Sequence, residues 1–245
     1  LLYKEKRPCK GCNLKKFVSC ILNSENNDKK KMKFYLKYNP GFLILLYTNY
    51  LKRIHSLKDF NLLCRSKFIL DFIKKNNLTT KNTGIEYNLY DPVKEIIVHK
   101  KIKEITKSHT TITYIGSLEK IKGVDILIKS FAKINKKSRL LIIGEGSQKQ
   151  NLIELTKELN IENRVIFTGK VDYNFIPYIF TRSDIIGFLP KWPEPFSRVI
   201  LEALYYKKPI IATEAGGNPD AEKKKKNGFL VDFNTKNISD KFKLL

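Results

Sequence analysis

From residue 111 onward, short runs of aliphatic residues alternate with amphipathic stretches, and most of the runs stop at Gly or Pro. Thr111–Ile115 precedes Gly116, Arg139–Ile143 precedes Gly144, Arg164–Thr168 precedes Gly169 and Asp184–Leu189 precedes Pro190; Pro209–Thr213 and Phe229–Val231 follow. Between them, Val124, Leu127, Ile128 and Phe131 recur at helical spacing, as do Leu152, Leu155 and Leu159, and Phe175–Phe180 reads as a short helix. Runs that are apolar at consecutive positions bury both faces of a strand. Alternating with helices, they predict a parallel sheet covered on both sides, in a Rossmann-like α/β domain. Ligands of such domains bind outside the carboxyl ends of the strands, which is where the Gly and Pro residues fall. The lone Gly144-Glu145-Gly146 is not the full dinucleotide fingerprint.

The earlier half is less regular. Residues 1 to about 35 are Lys- and Asn-rich with no clear period. A helix is expected from Pro40 to about Leu57, a short buried strand at Phe60–Leu63, a helix at Lys67–Lys75 with Ser66 as its N-cap, and a strand at Asn82–Tyr87 ended by Asp91-Pro92. The charged stretch 93–109 reads as a connection. The expected organisation is therefore a partial N-terminal domain and hinge over 1–108 and a ligand-binding domain over 109–245.

The 245 residues are enough for a sizeable core or two small domains, and no apolar run approaches the ~20 residues that span a bilayer. The net charge of +23 raises a nucleic-acid reading. Against it, the lysines are scattered, with short runs only at Lys29–Lys31 and Lys223–Lys226, and abundant Lys, Asn and Ile suit an AT-rich coding bias. The expectation is no nucleic-acid partner, and adsorption to an anionic membrane surface instead. Cys9, Cys12 and Cys20 form C-x2-C-x7-C, and only Cys64 could complete four zinc ligands within this sequence. Reduced thiols and no metal site are expected, in a cytoplasmic setting. The chain opens on Leu1 and its only Met is Met32, so it is read as part of a longer protein.

The stretch Trp192–Gly217, WPEPFSRVILEALYYKKPIIATEAGG, combines a Pro-rich entry, an apolar helix, a strand and a Gly-Gly turn. With Pro195 as first helical residue, Glu194 and Glu202 would stand ~12 Å apart along one helix. Pro195 has no N–H of its own, and the open N–H groups of the rest of that first turn would then face the cleft as an anion site. Two carboxylates bracketing an anion site suit a ligand with a central phosphate and a polyol at each end, such as a nucleotide-sugar.

The segments YIGSLEKIKGVDILIKSF, LLIIGEGSQ, RVIFTGKV, WPEPFSRVILEALYYKKPIIAT, EAGGNPD and NGFLVD, spread over 112–232, follow one family's order and spacing. The chain resembles the retaining glycosyltransferases of family four, also called glycosyl transferases group one, which have the GT-B fold. RPCKGC, LLCRSKFILDFIKKNN and GIEYNLYD resemble that family more loosely. The resemblance implies two Rossmann-like domains, the first only partly represented here. It implies transfer of a sugar from a UDP- or GDP-linked donor to a glycan or lipid-linked acceptor with retained configuration. Neither metal nor cofactor is implied, because a helix N-terminus and basic side chains neutralise the leaving diphosphate.

The resemblance also assigns roles. Glu194 matches the glutamate that contacts the donor sugar, Glu202 the one that hydrogen-bonds the ribose hydroxyls, and Lys122 the lysine on the diphosphate. By their own chemistry Gly116, Gly144, Gly146 and Gly169 fit close approach of a ligand or a tight turn; the resemblance makes Val171 a backbone contact to the base, and Pro195, Phe196 and Ser197 fill the first turn, with Phe196 the better packing residue. Ser117 stands where many members have Arg, and Arg198 is the alternative cation. Ser197 stands where Gly is usual. Gly216-Gly217-Asn218-Pro219-Asp220 resembles the GG-x-P-E turn and is read as structural, supporting the helix of Glu202. His55, His99 and His109 fall in no motif of that family. A degenerate nucleotide-sugar-binding module is the alternative function.

Overall fold

The structure, a computed structural model, describes residues 45, 48, 49, 51, 52, 55–76, 78, 80–92, 109–134, 137–221 and 227–245. The chain divides into two compact units, Leu1–Glu86 and Tyr87–Leu245. The boundary expected near 93–108 falls outside the described residues, as do Cys9, Cys12, Cys20, His99 and both lysine runs.

In the first unit, β1 (Asn61–Cys64) pairs in parallel with β2 (Asn82–Ile85). Between them runs α1 (Lys67–Lys75), and the described residues from 45 to 56 are helical. The buried Ser66 hydroxyl accepts the Ile69 N–H at 3.4 Å, the predicted cap. β1 is less buried than its apolar sequence suggests. Cys64 is buried, but Phe60 and Leu63 are 60% and 61% exposed among the described residues.

The second unit contains one six-stranded sheet, all parallel: β3 (Thr110–Ile115), β4 (Ser138–Ile143), β5 (Val165–Gly169), β6 (Ile185–Phe188), β7 (Ile210–Thr213) and β8 (Gly228–Val231). The order across the sheet is β5-β4-β3-β6-β7-β8. The chain builds outward from β3 through β4 to β5, then returns to the other side of β3. That reversal opens a crevice between the loops after β3 and β6, the position where doubly wound sheets take ligands.

The helices are α2 (Val124–Phe131), α3 (Lys149–Glu158), α4 (Ile176–Arg182), α5 (Arg198–Tyr205), α6 (Asn218–Ala221) and α7 (Thr235–Lys243). α2 packs between α3 and α7, and its Leu127 meets Phe242 over the bare Cα of Gly187. α4 meets the end of α5 through the stacked rings of Phe180 and Tyr206. Tyr114, Leu118, Leu127, Phe131, Leu140, Leu141, Ile142, Ile179 and Phe180 are fully buried in a single core cluster. α3 and α5 both end in a left-handed residue, Asn160 (φ 53°) and Lys207 (φ 54°). The next N–H in each case reaches back, Ile161 to Thr156 O and Lys208 to Ala203 O, which satisfies otherwise open carbonyls.

The last two helices lie beyond what the apolar pattern announced. Asn234 caps α7 by accepting from the Lys236 and Asn237 N–H groups, and Ile238 and Phe242 enter the core. α5 starts three residues later than expected, at Arg198 rather than Pro195. Glu194, as the residue before a proline, is biased toward extended backbone, and its carbonyl accepts the Gly217 N–H at 2.7 Å. That cross-link to the Gly-Gly turn holds 193–197 as a loop, so Glu194 and Glu202 do not share a helix.

Candidate functional site

The crevice is built from two loops tied edge to edge. The Lys191 N–H donates to Ile121 O at 2.8 Å, and Lys191 Nζ meets Asp125 Oδ2 at 2.8 Å. Their closeness depends on Gly123, which sits at φ +67° between Lys122 and α2. A Cβ there would lie 1.9 Å from the Leu189 carbonyl oxygen. Tyr114, fully buried at the end of β3, donates to Ser117 O at 2.8 Å and braces the first loop. Burial, and then the Glu194 charge, push its phenol well above the ordinary range.

Across this seam Lys122 and Glu194 form an ion pair through Nζ and Oε1. Their side chains are 23% and 16% exposed, so the pair is partly withdrawn from water yet open on one side. Such a pair offers an acceptor for hydroxyls beside a cation for a phosphate oxygen, as a sugar–phosphate linkage demands. Glu194 is held at its backbone as well. Gly216, at φ +61°, approaches so closely that a Cβ would lie 2.1 Å from the Glu194 carbonyl oxygen. The Gly-Gly turn thus supports the loop of Glu194, and the short α6 that follows it packs on α5, the expected support of the Glu202 helix.

Glu202 lies in the second turn of α5 and is 3% exposed. Its Oε1 accepts the Tyr173 hydroxyl at 2.8 Å. Burial raises its pKa above the usual carboxylate value, partly offset by the Tyr173 hydrogen bond and the Arg198 charge. Arg198, exposed at the start of α5, and Ser197, the buried N-cap whose hydroxyl makes no capping bond, stand at the helix N-terminus. The open N–H groups there belong to the turn beginning at Arg198, displaced from the turn expected at Pro195.

The remaining candidates are distributed around this centre. Gly116 and the exposed Ser117 follow β3, in the loop that carries Lys122. Gly144 and Gly146 follow β4, packed against the backbone of Gly116 and Leu118. Val171 follows β5 and is half-buried against the core. Pro195 is exposed in the loop, and the Phe196 ring lies 5.6 Å from that of Tyr87. Sequence reasoning missed Tyr173, Tyr90 and Tyr114, since no spacing rule pairs Tyr173 with a glutamate 29 positions away. Among the described residues no group of His, Cys, Asp and Glu forms a metal-binding cluster, and no helix is long and apolar enough to cross a membrane.

The family model for glycosyl transferases group 1 matches residues 95–245 of this chain. The chain belongs to the group 1 glycosyltransferases. Within this family it is 33% identical over 135 residues to the N-acetyl-alpha-D-glucosaminyl L-malate synthase of Bacillus anthracis, covering 54% of this chain and 35% of that protein. It is 27% identical over 223 residues to an uncharacterized glycosyltransferase of Methanocaldococcus jannaschii, covering 89% of this chain and 54% of that one. The chain therefore spans roughly a third to a half of the curated relatives it matches. Among solved structures, HepE of Anabaena in complex with UDP-glucose superposes with a TM-score of 0.68 at 24% identity, covering 80% of this chain and 57% of that one. The glycosyltransferase WaaG superposes with a TM-score of 0.64 at 17% identity, covering 75% of this chain and 52% of that one. The group 1 chain thus has the α/β architecture of the GT-B type, its second unit being the Rossmann-like parallel-sheet half.

Proposed function

We propose that the second unit binds a nucleotide-diphosphate sugar and that the protein transfers its hexose, with retention of configuration and without a metal, to a glycan or lipid-linked acceptor. The observation that carries this reading is the Lys122–Glu194 pair at the switch between β3 and β6, with Glu202 buried on the helix that follows. Glu194 holds sugar hydroxyls and steadies positive charge developing at the reacting carbon. Lys122, the N–H groups at the start of α5 and Arg198 neutralise the departing diphosphate. Glu202 accepts from the ribose diol, and Val171 meets the base through its backbone. Gly116, Ser117, Gly144 and Gly146 line the strand ends along which the diphosphate lies. The capture of UDP-glucose by HepE supports the donor class. The charge of +23 supports placing the reaction at an anionic membrane face on the cytoplasmic side, where a lipid-linked acceptor would be presented.

Calorimetric titration of this chain with UDP, GDP and their glucose and N-acetylglucosamine conjugates tests the donor reading. Saturable binding that Glu202→Ala weakens is the expected result. Absence of binding to every one of them overturns it. Binding by a longer form of the protein with no sugar released or transferred would favour the alternative, a nucleotide-sugar-binding module without catalysis.

A further inference from the structure

Two polar pairs lie along α5, a hydroxyl on a carboxylate at Glu202 and two hydroxyls at Tyr206. Tyr173, in the single 3-10 turn Tyr173–Phe175 after β5, donates to Glu202 Oε1 at 2.8 Å. The Tyr90 hydroxyl lies 3.3 Å from that of Tyr206, at the end of α5. Tyr90 is wedged in place by its neighbours: its ring makes edge contacts with Tyr205 at 5.1 Å and Tyr206 at 6.2 Å. Tyr173 is placed just as firmly at its backbone, because Asp172 caps its turn by accepting the Asn174 N–H at 2.9 Å. A buried carboxylate on a helix has rotamer freedom that one fixed hydrogen bond removes. Among the described residues the Glu202 side chain accepts that bond from Tyr173.

We propose that Tyr173 is a positioning residue that aims the Glu202 carboxylate at a vicinal diol. The inference rests on the donor reading, and it makes a tyrosine outside the helix of Glu202 a determinant of ribose recognition. Tyr173 anchors one carboxylate oxygen and, as a donor, offsets part of the burial that disfavours the charged form of Glu202. The phenol does not compete as a base, because burial and the Glu202 charge push it up to about 12. The charged and titratable groups acting on this pair are Arg198 from the start of α5 and Tyr90 from the preceding segment.

The test compares UDP with 2′,3′-dideoxyuridine diphosphate on the full 245-residue chain, as wild type, Tyr173→Phe, Tyr173→Leu and Glu202→Ala, with thermal melts of each. GDP and its dideoxy analogue replace the uridine pair if the wild type selects guanine. Wild type should prefer the ribonucleotide. Tyr173→Phe and Tyr173→Leu should each shrink that preference about 3- to 10-fold, the effect of one hydrogen bond, with the dideoxy affinity unchanged. A melting change without a change in the ribo-to-dideoxy ratio would mean a merely structural role and would overturn the inference. So would a Tyr173→Phe chain that binds the ribonucleotide more tightly, since Tyr173 would then be a competitor for Glu202. If Tyr173→Phe does not fold, Tyr173→Leu decides alone by the same ratio. Failure of the wild type to bind either nucleotide would instead remove the donor reading itself.

Discussion

Lys122 and Glu194 are 72 positions apart in the chain and in direct ionic contact. One follows β3 and the other follows β6, which are neighbours only because the sheet reverses its building direction there. An ammonium and a carboxylate held together at a strand-end crevice are already the two partners that a sugar–phosphate bond needs. Before a donor arrives, each satisfies the other, so neither is left as an unpaired, partly buried charge.

This mutual neutralisation gives the first prediction. Glu194→Gln releases the Lys122 ammonium, so UDP or GDP affinity should stay within about 3-fold of wild type or tighten, while sugar transfer by the longer protein falls by about 10²-fold or more. Titration calorimetry and a product assay measure the two. Equal loss in both would assign Glu194 to the nucleotide, not the sugar.

Lys122→Met should weaken diphosphate binding and also strand the Glu194 carboxylate. The double variant Lys122→Met/Glu194→Gln should recover part of the lost stability, with a coupling of about 0.5–1 kcal/mol, small because both side chains retain some exposure. Denaturant melts of the four chains provide the cycle. Strict additivity would show that the contact carries no weight in solution.

Glu202 sets function against stability. Its pKa is raised in the fold, so the fold favours the protonated form and stability falls as pH rises through that value. Glu202→Gln should therefore raise Tm at pH 7 by about 2–5 °C while weakening nucleotide binding about 10-fold. In the wild type, binding should be full at pH 7.5 and decline on acidification at a pH above the ordinary glutamate value. Titrations from pH 7.5 to 4.5 follow it, and a profile that is flat until below pH 4.5 would contradict the assignment.

Gly216→Ala should be among the most damaging single-methyl changes in the second unit. The new Cβ meets the Glu194 carbonyl oxygen from a left-handed backbone, and relief requires moving the Glu194 loop. A loss of about 2 kcal/mol or more is expected, with transfer reduced beyond what the unfolded fraction explains. Comparison of Tm with activity at a temperature where the variant is folded separates the two effects.

Ser117→Arg adds a second cation to the loop after β3 that carries Lys122. It should tighten nucleotide diphosphates several-fold at low salt and have less effect on a nucleoside, with the gain fading as ionic strength rises. Parallel titrations with UDP and uridine at two salt concentrations read this directly.

Much of the donor-side architecture was legible in the residues. The strand runs ending at Gly116, Gly144, Gly169 and Pro190 fell within a residue or two of the observed strands, because a doubly covered strand must be apolar at consecutive positions. Ser66 was readable as a cap because its chemistry is local. The start of α5 was misread at Pro195. Proline is compatible with a first helical turn, and nothing local reveals that the Glu194 carbonyl is taken by Gly217. β1 was read as buried from its leucines, yet Leu63 is largely exposed among the described residues, since composition does not say whether anything covers a face.

By itself, then, the order of residues determined the alternation of strands and helices and the parallel sheet, and it offered Glu194 and Glu202 as a pair of carboxylates near a helix start, while Lys122 was singled out by the family resemblance. The alternation and the sheet follow from periodicity and turn chemistry, which act over a few neighbouring positions. Only the tertiary structure decided that Lys122 neutralises Glu194, that Gly216 props the Glu194 loop, and that Glu202 is held by Tyr173. These contacts depend on which strand lies beside which and on where the chain turns back, and a period along the sequence carries no record of either.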